Sequence, residues 1–316
     1  MAAERGRRPA EVETGVRARL RTLAWCLALA LTACSPAASL TPPDDGLDVV
    51  ATMSVFADFA EHVGGGLVDV TSIVPVGGDP HTYEPTPSDA VQIARADVVL
   101  DNGLGLSPWF EPLRDNVEGR LVTLTANVAD EARRTAGKID PHLWMVPDYV
   151  DRGYITAIER ALAGVDPAHA QDYADNADAY RAELADLDAD IAAAVSTIPR
   201  ERRKLVTSHD AYSYFATRYG ITVVGTITGV TTEEEPSARS VSRLIDRIRA
   251  ERAPAVFFET TINPALAERV ARDAGIVLGD PLYGDSVGPP GSGASDYVSM
   301  MRANARAIVG GLGGTP

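Results

Sequence analysis

Four side chains in this sequence have the types needed to hold a divalent cation, and no two are near each other in the chain. His81 lies in GGDPHTYEPTPSDA (residues 77–90) and His142 in IDPHLWMVP. His209 directly follows LVTS, and Asp285 follows the turn Pro281-Leu282-Tyr283-Gly284. Three imidazoles and one carboxylate can close a four-coordinate site for a first-row divalent metal. Imidazole suits Zn2+, and the carboxylate oxygen widens tolerance toward Mn2+. The separations are 61, 67 and 76 residues, so no local spacing such as HxxxH fixes a geometry. A plain structural reading stands beside the metal reading: a loop histidine hydrogen-bonded at the surface, and Asp285 capping a turn. A metallohydrolase could also use such a set, with an open position activating water. Neither an HExxH nor an HxHxD arrangement accompanies it, and no motif supplies a separate general base. Trp144, beside His142, reads as packing. His62 sits near a helix end, where its charge suits the dipole, and His169 in the first turn of a long helix; neither is assigned to the site. Glu233-Glu234-Glu235 read as a solvated acidic turn, the alternative being that they help metal entry.

The elements that must position these residues alternate. DVVATMSV (48–55) reads as a strand and FADFAEHVGG as a helix. VDVTSIVPV, DVVLDNG and RLVTLT read as further strands, separated by the helices SDAVQIARA and SPWFEPLRDNV. The polar stretch NVADEARRTAGKID breaks the rhythm. After Asp166-Pro167, an N-cap followed by proline, the chain runs without glycine or proline to Pro199. About 30 residues of helix would span roughly 45 Å. Tyr173, Ala177, Tyr180, Leu184, Leu187 and Ile191 recur at threes and fours, an apolar stripe along one face. A second alternating half follows: strands RKLVTS, ITVVGTIT, APAVFFET and IVLGD, with helices AYSYFATRYG, ARSVSRLIDRIRAER, NPALAERVARDAG and SDYVSMMRANARAIVGGL. The predicted fold class is α/β: two parallel-sheet lobes, residues 48–165 and 200–316, joined by one long helix over 166–199. In open α/β sheets ligands collect beyond the C-terminal ends of strands, where His81, His209 and Asp285 fall. Around His81, Gly77-Gly78 and Pro80 turn the chain off its strand. Thr86-Pro87-Ser88-Asp89 reads as a capping box with proline at the first helical position.

The first 22 residues hold six arginines against three glutamates, and an apolar run from Leu23 ends at Cys34. This is the layout of a secretory signal, and the run is shorter than the roughly 20 apolar residues of a membrane span. Leu31-Thr32-Ala33-Cys34 resembles a bacterial lipobox. Residues 1–33 are therefore expected to be removed, with Cys34 lipidated and residues 34–47 serving as a Pro-rich tether to the membrane. Cys26 would leave with the signal, so the mature domain has neither disulfide nor thiolate ligand. Net charge is −15, or near −18 without residues 1–33; a domain this acidic is a poor nucleic-acid binder.

The motifs GGDPHTYEPTPSDA, DPHLWMVP, LVTSHDAYSYFATRYGI with TTEEEPSARS, and YGDSV followed by SDYVSMMRANARAI resemble the zinc- and manganese-binding solute-binding lipoproteins of bacterial ATP-driven importers, the cluster 9 metal-binding family. The likeness covers essentially the whole mature chain, in order. It implies two α/β lobes on a rigid helix, with the metal at their interface. The ligands it implies are His81, His142, His209 and Asp285. It also implies a monomer without enzymatic activity that delivers metal to an ABC transporter permease. The family varies at the third ligand: glutamate accompanies manganese and histidine more often zinc, so His209 favours Zn2+ with Mn2+ as runner-up. The chain departs from many zinc members in lacking a histidine-rich loop, since NVADEARRTAGKID contains no histidine. Neutral ring nitrogens need partners that fix their tautomer; Asp79, Glu84 or backbone carbonyls are candidates. Binding should weaken as pH falls through the imidazole range. A lipid-anchored acidic domain could alternatively serve surface adhesion.

Overall fold

Short apolar runs flanked by amphipathic helices pair in parallel, as the alternation requires. The structure is a computed structural model that describes residues 46–315, apart from residues 136 and 234. The expected signal peptide, Cys34 and nearly all of the expected tether lie outside the described residues. No helix among the described residues is long and apolar enough to cross a membrane.

In the first lobe, strands β1 (Leu47–Met53), β2 (Val68–Val74), β3 (Val98–Asp101) and β4 (Arg120–Thr123) form one sheet. Its order is β2-β1-β3-β4 and every pairing is parallel. Helix α1 (Ser54–Gly64) follows β1, and α2 (Pro87–Arg95) follows β2. Two expected elements differ. SPWFEPLRDNV winds as a 3-10 helix over Pro108–Asn116, with Pro112 inside it; proline lacks the N–H that an α-helical turn needs. NVADEARRTAGKID contains a short antiparallel ribbon, Arg134–Thr135 against Lys138–Ile139.

A π-helical turn at Val150–Ile155 leads into α3 (Thr156–Val165). The long helix α4 runs unbroken over Ala170–Ser196, 27 residues. It starts later than the sequence suggests. Pro167–His169 form a 3-10 turn, and Asp166 makes no side-chain cap bond. Its carboxylate instead meets His169 Nδ1 at 2.6 Å and accepts from the Tyr173 hydroxyl at 2.9 Å. The stripe Tyr173, Ala177, Tyr180, Leu184, Leu187 and Ile191 is buried throughout, with Val195 extending it. These side chains share one core with residues of β1 and of the last helix. Polar ties add to the packing. Arg181 of α4 reaches Asp151 at 3.0 Å and Glu159 at 2.6 Å, and Asp188 accepts from Tyr219 at 2.8 Å. The helix is thus held from both sides along its length.

The second lobe has strands β5 (Lys204–Thr207), β6 (Thr222–Thr226), β7 (Ala255–Val256) and β8 (Val277–Leu278). β5 pairs with β6 and β7 with β8, both in parallel. Phe257 N–H donates to Val206 O at 2.8 Å and ties the two pairs together. APAVFFET pairs over two residues only, and Glu259 meets Leu282 in an isolated parallel bridge. Helices α5 (Ser213–Tyr219), α6 (Ala238–Glu251), α7 (Ala265–Ala274) and α8 (Tyr297–Leu312) complete it. A separate apolar cluster, with Val206, Leu244, Ile248 and Val270, lies beneath α6 and α7.

Candidate metal centre

Each of the four side chains sits on a loop whose backbone is fixed by its own bonds. After β2, Gly78 N–H closes a turn on Pro75 O at 2.8 Å, with Gly77 at φ +83°, a conformation that favours glycine. His81 N–H donates to Asp79 Oδ1 at 2.9 Å, and Trp109 Nε1 donates to Pro80 O at 3.0 Å. The expected capping box behind the loop is present: Thr86 Oγ1 accepts from Asp89 N–H, and Asp89 Oδ2 from Thr86 N–H. His142 follows Pro141, whose carbonyl accepts from Asn102 Nδ2 at 3.1 Å; Tyr154 donates in turn to Asn102 Oδ1 at 2.8 Å. The His209 carbonyl accepts from Thr207 Oγ1 at 2.6 Å. Before Asp285, Asn304 holds Tyr283 at both N–H and carbonyl, at 2.8 and 2.7 Å.

These loops converge between the lobes. His81, His142, His209 and Asp285 each offer a ligand atom, and the four atoms lie within 4.8 Å of one another. All four residues are buried, His81 at 2% exposure and the others at 0%. Asp285 Oδ2 is 3.5 Å from both His81 Nε2 and His209 Nε2, and Oδ1 is 3.6 Å from His142 Nε2. His142 Nε2 and His209 Nε2 are 3.2 Å apart. Bonds of about 2.0–2.1 Å at tetrahedral angles would set donors about 3.3–3.4 Å apart, close to these four separations. The polar inventory agrees. Both oxygens of Asp285 and both ring nitrogens of His81 are buried without a hydrogen-bond partner. Leaving such groups unsatisfied costs about 1–3 kcal/mol each, and a cation would satisfy those that face the centre.

Two carboxylates that the sequence reading did not single out orient the rings. Asp140 Oδ1 lies 2.7 Å from His142 Nδ1, and Glu259 Oε1 lies 2.8 Å from His209 Nδ1. Each accepts from an Nδ1–H and leaves Nε2 facing the centre. Asp140 stands two residues before His142, and Glu259 ends the run that begins with β7. Position at a strand's C-terminal end, the rule that marked His209, also marks Glu259. The expected ring partners do not take that role. Asp79 serves the His81 backbone, and Glu84 is exposed. Gly284 lets the Asp285 loop approach Glu259: a Cβ there would stand 2.1 Å from Glu259 Oε2. Trp144 is fully buried against the His142 ring, centroids 5.0 Å apart, and its Nε1 donates to Gly284 O at 3.0 Å.

At 3.2 Å the two Nε2 atoms are within hydrogen-bond reach of each other. Burial opposes charge on His209, but Glu259 and Asp285 outweigh it and raise His209 to about 10. Burial likewise opposes charge on Asp285, and the facing His209, His81 and His142 hold its carboxyl below the usual carboxylate range. The two carboxylates thus favour a protonated His209 ring, with Nδ1 on Glu259 and Nε2 facing His142 and Asp285. A metal bound there would have to displace that proton. His81 alone of the four also lines a cleft of about 300 Å³, with Leu104, Pro108, Lys138, Thr231 and Glu233. Of the acidic run, Glu233 lines the same cleft, and Glu234 lies outside the described residues. His62 and His169 do not join the group: His62 stacks on Tyr180 at 4.2 Å, and His169 meets Asp166.

Comparison with known proteins points the same way. The manganese-binding lipoprotein MntA of Halalkalibacterium halodurans is 37% identical over 269 residues, 85% of this chain and 89% of the relative. The manganese ABC transporter substrate-binding lipoprotein PsaA of Streptococcus pneumoniae is 32% identical over 299 residues, covering 90% and 95%. The iron-binding protein YfeA of Yersinia pestis is 35% identical over 269 residues, covering 84% and 86%. The solved structure of the periplasmic zinc-binding protein TroA from Treponema pallidum superposes with a TM-score of 0.81 at 28% identity, over 84% of this chain and 99% of that one. Residues 49–311 match the family model described as zinc-uptake complex component A, periplasmic, and the chain belongs to that ZnuA family.

Proposed function

We propose that this protein captures one divalent first-row metal ion between its lobes and delivers it to the permease of an ABC importer. The ligands are His81, His142, His209 and Asp285, and the cargo is Zn2+ in preference to Mn2+. The observation that carries the reading is the buried set of four donors within 4.8 Å, two of its rings already oriented by Asp140 and Glu259. Three imidazoles to one carboxylate favour Zn2+, whereas Mn2+ suits oxygen-rich sets. The names of the relatives run to manganese, iron and zinc, so the choice of metal rests on the donor set. Binding is reversible coordination without turnover. Four protein donors fill a tetrahedral shell, whereas a catalytic zinc keeps a position open for water. In this reading residues 48–165 and 200–316 are the two lobes, 166–199 the link between them, and the protein is a monomer. Residues 1–33 are the export signal, and lipid on Cys34 holds the protein at the outer face of the cell membrane through the 34–47 tether. The relatives named as lipoproteins support the anchor.

The test uses the soluble form from Ser35 onward, stripped of metal and titrated separately with Zn2+ and Mn2+, then with both in competition. One tight site per chain, lost in His81→Ala and in His209→Ala, supports the reading. If neither metal binds below micromolar concentration, the reading fails.

A further inference from the structure

The three histidines are not held alike. The rings of His142 and His209 each rest on a carboxylate through Nδ1, whereas neither nitrogen of His81 has a hydrogen-bond partner. His81 is positioned through its loop, and the second lobe grips that loop at two points. The Asp79 carboxylate bridges the first: Oδ1 accepts from His81 N–H at 2.9 Å, and Oδ2 accepts from the Thr232 hydroxyl at 2.5 Å. At the second, Ser286, adjacent to Asp285, accepts from Gly77 N–H at 2.7 Å through its Oγ. That Oγ also donates to Val287 O at 2.8 Å and lies 3.1 Å from Ser54 Oγ of α1. One grip therefore lies on each side of the Gly77–His81 turn.

We infer that Thr232 and Ser286 are positioning residues for His81, and that their two grips set how fast bound metal leaves. The inference rests on the metal-capture reading above. A ring with its own carboxylate keeps its aim when the lobes move. A ring aimed only by its loop loses it once the loop parts from the second lobe. His81 also lines a surface cleft with Leu104, Pro108 and Glu233. Of the three rings it is thus the one that yields first when the lobes part. Asp285 and Ser286 are neighbours in the chain, so one movement of their loop withdraws a ligand and releases the His81 turn together.

Thr232→Val and Ser286→Ala, singly and together, test this without altering a ligand. Each removes a hydroxyl of a bond to the His81 turn and keeps side-chain volume close to the original. In metal-free protein, amide hydrogen exchange at Gly77 should quicken in Ser286→Ala, and at His81 in Thr232→Val, with exchange in α4 unchanged. For Zn2+ pulled off by an excess of chromophoric chelator, loss of a bond to a charged or buried group should raise the dissociation rate roughly tenfold in each variant. Stoichiometry should stay at one per chain. Unchanged exchange at both amides in the double variant, or a Zn2+ dissociation rate within twofold of the parent, overturns the inference. If the parent binds no Zn2+, the capture reading falls instead, while the exchange comparison still decides whether the grips hold the turn.

Discussion

Metal binding should release one proton per ion well above the pH at which ordinary histidines have lost theirs. The perturbation is pH, and the group is His209. Facing Glu259 and Asp285, it titrates at about 10 in the metal-free protein. At pH 7 the proton must be displaced across about three pH units, a cost of about 4 kcal/mol at 1.36 kcal/mol per unit. The apparent Kd should therefore tighten about tenfold per pH unit, or roughly a hundredfold between pH 7 and pH 9. An imidazole with the ordinary value of about 6.5 would yield less than about twofold over the same range. Calorimetric titration with Mn2+ in two buffers of different ionisation enthalpy counts the protons directly. Chelator competition gives the Zn2+ affinity at each pH. Glu259→Gln removes the larger of the two raising charges and should flatten the profile above neutral pH. Stability follows the same sign. His209 is raised, so its contribution to the metal-free fold is complete below about pH 6.5 and is lost as pH rises through about 10. The metal-free melting temperature should fall across that window. Fewer than about 0.3 protons released per metal at pH 8, with a Kd that moves less than threefold between pH 7 and 9, would refute the argued charge state of the His142–His209–Asp285 group.

Other consequences are more direct. Asp285→Asn keeps the shape but removes the only carboxylate among the four donors, and equilibrium dialysis should show at least about a hundredfold weaker Zn2+ binding. Leu187→Ala, at a fully buried position on α4, should cost about 2–5 kcal/mol in urea unfolding, because the stripe is sealed on both sides. Thr86→Ala removes the cap of α2 behind the His81 turn and should cost about 1 kcal/mol in the same assay. Zn2+ at a hundredfold excess over Kd should add about 2.7 kcal/mol of stability, a rise of about 5 °C in melting temperature for a chain of this size. Addition of chelator should reverse it.

Much of the positioning frame is legible in the chain. The stripe Tyr173–Ile191 repeats at helical spacing, and every member is buried on α4. The turn glycines before His81 and the Thr86–Asp89 box specify local geometry because φ preference and capping are short-range effects. Helix boundaries were less legible where side chains had rival partners: Asp166 bonds His169 and Tyr173 in place of a backbone cap. APAVFFET has the composition of a full strand, yet regular pairing stops after Val256 and resumes only in the Glu259–Leu282 bridge. Pairing depends on a neighbour from elsewhere in the chain, and composition does not report it.

The candidate ligand set shows the division most sharply. The chain alone sets which groups are available: three loop histidines, an aspartate after a turn, no cysteine beyond Cys34, and motifs that resemble one family. It also determined that three of the four would stand beyond strand ends, since the alternation of strands and helices is a local pattern. Only the tertiary structure decided that atoms 61 to 76 residues apart meet within 4.8 Å. It alone decided that Asp140 and Glu259 orient two of the rings, while Thr232 and Ser286 hold the third by its backbone. The reason is range. Backbone preference and periodicity act over a few residues. A carboxylate raises a histidine, or a hydroxyl grips a loop, only after packing has brought distant segments together and excluded water.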